Sequence, residues 1–139
     1  MKPRLLVLFD IDGTLVRRAG PHHAQALVDA VQQVTGLPST TEGIPVFGML
    51  DRDILTLMMQ ASGLSPAAIR RAMPPVVALA QRLYVRRCPE LGRRVIPGVR
   101  HLLARLERRQ AARGLVTGNL TRIGWKKVER AGLKHHFRF

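Results

Sequence analysis

The chain opens its patterned region with an unbroken apolar run. Arg4 to Phe9 reads RLLVLF, with β-branched Val7 among the leucines. A run of this kind, without polar alternation, is the pattern of a strand covered on both faces, as in a parallel sheet. After a basic connection containing Gly20, PHHAQALVDAVQQVTG places Ala24, Leu27, Val28, Val31 and Val34 at helical spacing, with Pro21 at the start and Gly36 as the stop. LPSTTEGIPVFGML is rich in turn formers and reads as a loop, and DRDILTLMMQASG predicts a second helix ending at Gly63. Ser65 and Pro66 cap a short third helix that Pro74 and Pro75 interrupt, and VVALAQRLYVRR resumes it up to Pro89.

The pattern changes in the last third of the chain. VIPGVRHLLARLERRQ is an amphipathic helix opened by Pro97, with Val99, Leu102, Leu103 and Leu106 on one side, and ARGLVTGN supplies a second short strand. Thr121 caps a last helix, RIGWKKVERA, which Gly132 closes. Strand, helical block, helix, strand, helix is the alternation of an α/β domain with a parallel sheet and an all-helical insert directly after strand one. The expected division is an α/β core from residues 1–16 and 94–139 and a helical domain from residues 17–93. There is no internal repeat and no low-complexity segment.

Composition adds little until charge is considered. At 139 residues, 46% hydrophobic and 23% charged, the chain has the make-up of a folding domain. No apolar run approaches the roughly 18 residues of a membrane span, and Asp10 and Asp12 stand where a signal peptide would have its cleavage region, so a cytoplasmic protein with no membrane partner is expected. The single cysteine, Cys88, cannot form an internal disulfide, has no Cys and His cluster around it and reads as structural. The formal charge of +14 is concentrated towards the end: residues 1–93 hold 11 basic and 7 acidic side chains, residues 94–139 hold 12 and 2. Such an excess points first to a polyanion. Several of the arginines, however, fall on the solvent face of a predicted helix, and the chain has few aromatic residues for base stacking. Nucleic acid is therefore not the expected partner.

The chemistry lies at the end of strand one, where open α/β sheets place their ligands. Asp10 and Asp12, two apart, would share one face of an extended strand, and a turn through Gly13 could bring both around one substrate group. Two carboxylates beside small residues such as Gly13 and Thr14, whose backbone amides can approach an anion, suit phosphoryl transfer assisted by a divalent metal. One carboxylate can attack phosphorus while the other acts as acid to the leaving oxygen and then as base to water. A simple strand-ending turn would explain the Asp and Gly, but not two acids adjoining an apolar strand.

FDIDGTL resembles the first motif of the haloacid dehalogenase superfamily, a hydrophobic strand followed by Asp-x-Asp-Gly-Thr-Leu. The resemblance implies a Rossmann-like parallel sheet core, with Asp10 as nucleophile and magnesium ligand. It makes Asp12 the acid/base, whose backbone carbonyl also serves the metal. The second aspartate, absent from the dehalogenases themselves, favours a phosphatase or phosphomutase acting on a small phosphorylated metabolite. LVTGN, residues 115 to 119, is similar to the family's second motif, making Thr117 the phosphate ligand with Gly118 and Asn119 shaping the loop. The helical insert matches the cap of the phosphoglycolate-phosphatase-like branch, which closes over the site and selects the substrate. FGMLDRDIL resembles a stretch that precedes a cap helix in that branch. Asp51, Arg52 and Asp53 could face the substrate, although acids at a helix start with a solvated arginine explain them more simply. Arg17 and Arg18 read as a solvated linker, and Met49, Met58 and Met59 as packing. The adjacent pairs His22-His23 and His135-His136 lack metal-ligand spacing.

The family's third motif, a Lys or Arg that steadies the charged intermediate, and its acidic metal-binding loop both follow the second motif. Lys126 and Lys127 lie close behind Thr117 and inside a predicted helix, and are not expected to be the third-motif base. The expectation is a fragment: an incomplete sheet with an open edge through which the chain could self-associate. A non-catalytic relative that acts by binding is the alternative to an enzyme.

Overall fold

A computed structural model describes residues 5–18 and 20–139; Arg4, where the first predicted strand begins, lies outside the described residues. The chain forms two compact units. One takes in the described residues up to 18 together with Pro89–Thr117 and Gly124–Phe139, and the other takes in Gly20–Cys88 and Gly118–Ile123. Relative to the sequence division, residues 17, 18 and 89–93 fall with the α/β unit. Residues 118–123 fall with the helical one.

The α/β unit is built on two parallel strands, β1 (Leu6–Phe9) and β2 (Ala112–Leu115), in a register from Leu6↔Ala112 to Phe9↔Leu115. Pairing continues past the end of β2, since the Val116 N–H donates to the Phe9 carbonyl at 2.8 Å, and within β2 the Leu115 N–H donates to the Phe139 carbonyl at 2.8 Å. A Cβ on Gly114 would meet the exposed Phe139 ring and, at 3.0 Å, Leu8 Cδ2, so the glycine lets both side chains lie close against β2. Strand β1 is not covered on both faces as its sequence predicts: Leu5, Leu6 and Leu8 are each about half exposed. Among the described residues its only ladder partner is β2, so the apolar run outlasts the neighbours that would bury it. Helix α4 (Val99–Arg108) buries Val99 and Leu103 but leaves Leu102 exposed. Ile11, Leu15, Val16, Leu91 and Leu133 are fully buried in this unit, and Phe9 meets Phe137 edge-to-face at 5.8 Å.

The helical unit consists of α1 (His22–Thr35), α2 (Asp51–Ala61) and α3 (Pro66–Arg87). Gly36 ends α1 in the left-handed region at φ 71°, as its position predicts, and the Ser65 side chain accepts the Ala68 N–H to cap α3. Apolar stripes meet along α1 (Leu27, Ala30, Val31), α2 (Leu55, Met58, Met59) and α3 (Val76, Ala80, Tyr84). Arg87 on α3 pairs with Asp29 on α1 and holds that carboxyl below the usual carboxylate range. Helix α3 is continuous where two segments were predicted. Pro74 and Pro75 are both exposed, so the helical carbonyls their missing N–H groups would have engaged lie on the solvent side, while the opposite face stays packed. Buried Cys88 ends α3, and its thiol donates to Tyr84 Oη at 3.3 Å.

Candidate active site

The end of β1 turns tightly. The Leu15 and Val16 N–H groups donate to the Ile11 carbonyl at 2.9 and 3.1 Å, and the Gly13 N–H donates to the Val16 carbonyl at 2.8 Å. Gly13 sits at φ 80°, a left-handed geometry that other residues rarely adopt, so the turn requires glycine. Two sequence expectations change here. Asp12 stands on the turn and not on an extended strand, so period-two alternation does not fix its direction. The amides of Gly13 and Thr14 are taken up inside the turn, by Val16 and Ile11, and are not presented to an anion.

Asp10 follows the last residue of β1 and is exposed, its Oδ1 accepting the Ile11 N–H at 2.7 Å. Asp12 is gripped from α5 (Thr121–Arg130): Lys127 Nζ donates to Oδ1 at 2.8 Å and to Oδ2 at 2.9 Å. The exposures are unequal, 2% for the Lys127 side chain and 37% for Asp12. The lysine set aside on sequence grounds thus reaches one of the two motif carboxylates. Its helical location is no bar, because the tip of a lysine reaches well beyond the helix that carries it. A signal was present in the sequence: Ile123, Lys127 and Ala131 recur at four-residue spacing, so the lysine interrupts an otherwise buried stripe. Lys126, by contrast, pairs with Glu129 at 3.2 Å on the surface.

Strand pairing carries Thr117 to the carboxyl end of β2, with Val116 alongside Asp10 by register. Asp10, Asp12 and Thr117 therefore stand at one end of the two-stranded sheet. Gly118 and Asn119 continue directly from Thr117 but belong to the helical unit. Of the acidic stretch at the start of α2, Arg52 and Asp53 are exposed, whereas Asp51 is 3% exposed and bonded to His23 and to the Leu120 amide.

Residues 5–139 match the family model described as haloacid dehalogenase-like hydrolase. The chain belongs to the haloacid dehalogenase-like hydrolases. No curated protein matches it. Among solved structures it is similar in fold to CbbY from Rhodobacter sphaeroides in complex with phosphate, with TM-score 0.67, 16% identity, and 97% of this chain and 61% of that one covered. A protein described as a predicted phosphoglycolate phosphatase from Haemophilus somnus 129PT gives TM-score 0.60 and 21% identity, with 96% and 60% covered. A HAD hydrolase of family IA, variant 3, from Entamoeba histolytica gives TM-score 0.58 and 16% identity, with 98% and 58% covered. The chain thus spans about 60% of the length of the structures it resembles. The α/β core with a helical insertion after its first strand is the architecture common to the match.

The donor chemistry at the end of β1 suits magnesium, which takes hard oxygen ligands, uses one or two carboxylates and keeps several waters. The exposed Asp10 carboxylate and the Asp12 backbone carbonyl would hold it, since Lys127 occupies both Asp12 carboxylate oxygens. Among the described residues no group of three or more His, Cys, Asp or Glu gathers into a metal cluster, so these donors form a partial set.

Proposed function

We propose that this chain carries the nucleophile, the acid/base and the phosphate loop of a magnesium-dependent phosphatase, hydrolysing a small phosphomonoester through an aspartyl-phosphate on Asp10. The observation that carries this reading is the Asp12–Lys127 pair beside an exposed Asp10, at the strand end next to Thr117. An Asp10 oxygen attacks phosphorus as the bond to the leaving group breaks, and protonated Asp12 hands its proton to the departing oxygen of the alcohol. Water then attacks phosphorus, Asp12 takes a proton from it, and the bond between Asp10 and phosphorus breaks to release inorganic phosphate.

Asp12 must alternate between acid and carboxylate in this cycle. As a carboxylate it accepts both contacts from Lys127; when protonated it gives up one, and the ammonium then offsets the charge that a phosphoryl group brings next to two acids. The Thr117 hydroxyl holds a phosphoryl oxygen. Magnesium, when bound, supplies further neutralisation of the phosphoryl oxygens. Crystals of CbbY, similar to this chain in fold, hold phosphate or xylulose-1,5-bisphosphate, which supports a phosphorylated metabolite as the substrate class.

The test is p-nitrophenyl phosphate hydrolysis by the 139-residue chain with and without magnesium. Turnover that requires magnesium and disappears in Asp10→Asn is expected, with the variant still folded because asparagine can accept the same Ile11 N–H. If neither this chain nor a longer polypeptide containing it hydrolyses any of a panel of small phosphomonoesters, the phosphatase reading is refuted.

A further inference from the structure

The proposed mechanism leaves Asp51 without a task, although it is the one acidic residue buried within the helical unit. Its backbone N–H donates to the Gly118 carbonyl at 2.8 Å, and its Oδ2 accepts the Leu120 N–H at 2.7 Å. The same oxygen lies 3.0 Å from Nε2 of His23 on α1. The His23 ring in turn rests edge-on against Tyr84, 5.6 Å between centroids, and Tyr84 is fully buried. A Cβ on Gly118 would stand 2.5 Å from the Met49 carbonyl oxygen, so the backbone at 118 lies directly against the residues leading into α2.

We infer that Asp51 is a positioning residue for the phosphate-binding loop, bracketing Asn119 by holding Gly118 on one side and Leu120 on the other, with His23 keeping the carboxylate in place. The inference rests on the reading of residues 117–119 as the phosphate loop. Backbone amides serve an anion well only when their directions are fixed beforehand, because reorienting them during the reaction forfeits the electrostatic gain. Two hydrogen bonds with a single buried residue fix the backbone on either side of Asn119, and they do so from the first turn of α2, within the unit to which residues 118–123 belong. His23 contributes a donor to a carboxylate that is otherwise shut off from water, without which its burial would be unfavourable.

The experiment uses the full 139-residue chain and two readouts by NMR: hydrogen exchange of the Leu120 amide, and the response of the Thr117, Gly118 and Asn119 amides to inorganic phosphate. Asp51→Ala is expected to speed Leu120 exchange and weaken phosphate binding, each by about tenfold, the factor that the loss of a single worthwhile hydrogen bond represents. Asp51→Asn keeps an acceptor for the Leu120 N–H and is expected to recover most of both. If Asp51→Ala does not fold, His23→Ala carries the test, with shifts in the same direction and of smaller size. A wild-type phosphate response that these variants leave unchanged, or an unchanged Leu120 exchange rate, overturns the inference alone. No saturable wild-type response at 117–119 removes the phosphate-loop reading and the inference with it.

Discussion

The contact between Lys127 and Asp12 makes a prediction that runs against the usual expectation that removing the more buried residue does more harm. Lys127 is 1% exposed as a residue, whereas the Asp12 side chain is 37% exposed. At 2.8 Å, opposite unit charges attract by roughly 6 kcal/mol in a medium of effective dielectric constant about 20, which is a gross figure before desolvation. What each truncation costs depends on the partner left behind. Lys127→Met keeps the volume of the side chain and strands a carboxylate that water can reach, so the cost should be about 1 kcal/mol. Asp12→Ala takes the carboxylate away from an ammonium that water cannot reach, and the cost should approach about 3 kcal/mol, the lower end for breaking a buried pair. In the double variant that buried charge is gone as well, so it should be nearly as stable as Lys127→Met alone, giving a coupling of about 2–3 kcal/mol. Urea denaturation of the four proteins, with a common slope, supplies all four free energies. Equal single costs that add within about 0.5 kcal/mol would refute the reasoning, since the pair would then contribute nothing as a pair.

Gly118→Ala should destabilise the chain by about 1–3 kcal/mol, because its Cβ would lie 2.5 Å from a backbone oxygen that cannot swing away; a urea midpoint equal to wild type would contradict the packing at Met49. Gly13→Ala, which meets nothing within 4 Å but must hold φ 80°, should cost only about 1–2 kcal/mol by the same measurement. Burial lowers the pKa of His136 below 6.5, the charge of His135 adds to the effect, and Glu107 opposes it. The unfolded chain therefore binds the proton more readily. The stability from neutral His136 is fully present above pH 6.5 and is lost as pH falls below it towards the folded value. Urea midpoints measured across that range should fall on acidification, and His136→Gln should flatten the trend; an unchanged slope in the variant would assign the effect elsewhere.

The elements were legible wherever local chemistry decided them. Gly36 and Ser65 end and begin helices as their side chains or lack of one dictate, and the six residues after Phe9 turn where Gly13 allows it. The reading of α3 failed because proline acts locally while its tolerance is tertiary: Pro74 and Pro75 are harmless only on a face turned to solvent, and no local pattern reveals which face that is. The exposure of β1 agrees with the incomplete sheet and open edge expected of the chain as a whole, although the strand's own pattern predicts cover on both faces. Apolar continuity records what a strand is suited to be covered by, and RLLVLF gives no count of the strands beside it.

Lys127 and Asp51 were each weighed by local sequence features, Lys127 by its closeness to Thr117 inside a predicted helix and Asp51 by the helix dipole that favours acids at a helix start. Both instead occupy positions whose neighbours in the pattern are buried: Lys127 lies between Ile123 and Ala131, and Asp51 lies one turn before Ile54 and Leu55. A charged side chain at such a position must find a compensating partner, since burying it unpaired is prohibitive. The partner is by necessity distant in sequence, 115 residues for Lys127 with Asp12 and 69 for Asp51 with the Leu120 amide. Each such residue therefore ties a motif-bearing segment to an element elsewhere in the chain: α5 to the turn carrying Asp12, and α2 to the loop after Thr117. Interruptions of an apolar stripe by charge are thus the places in this sequence where the fold and the proposed chemistry depend on the same side chain.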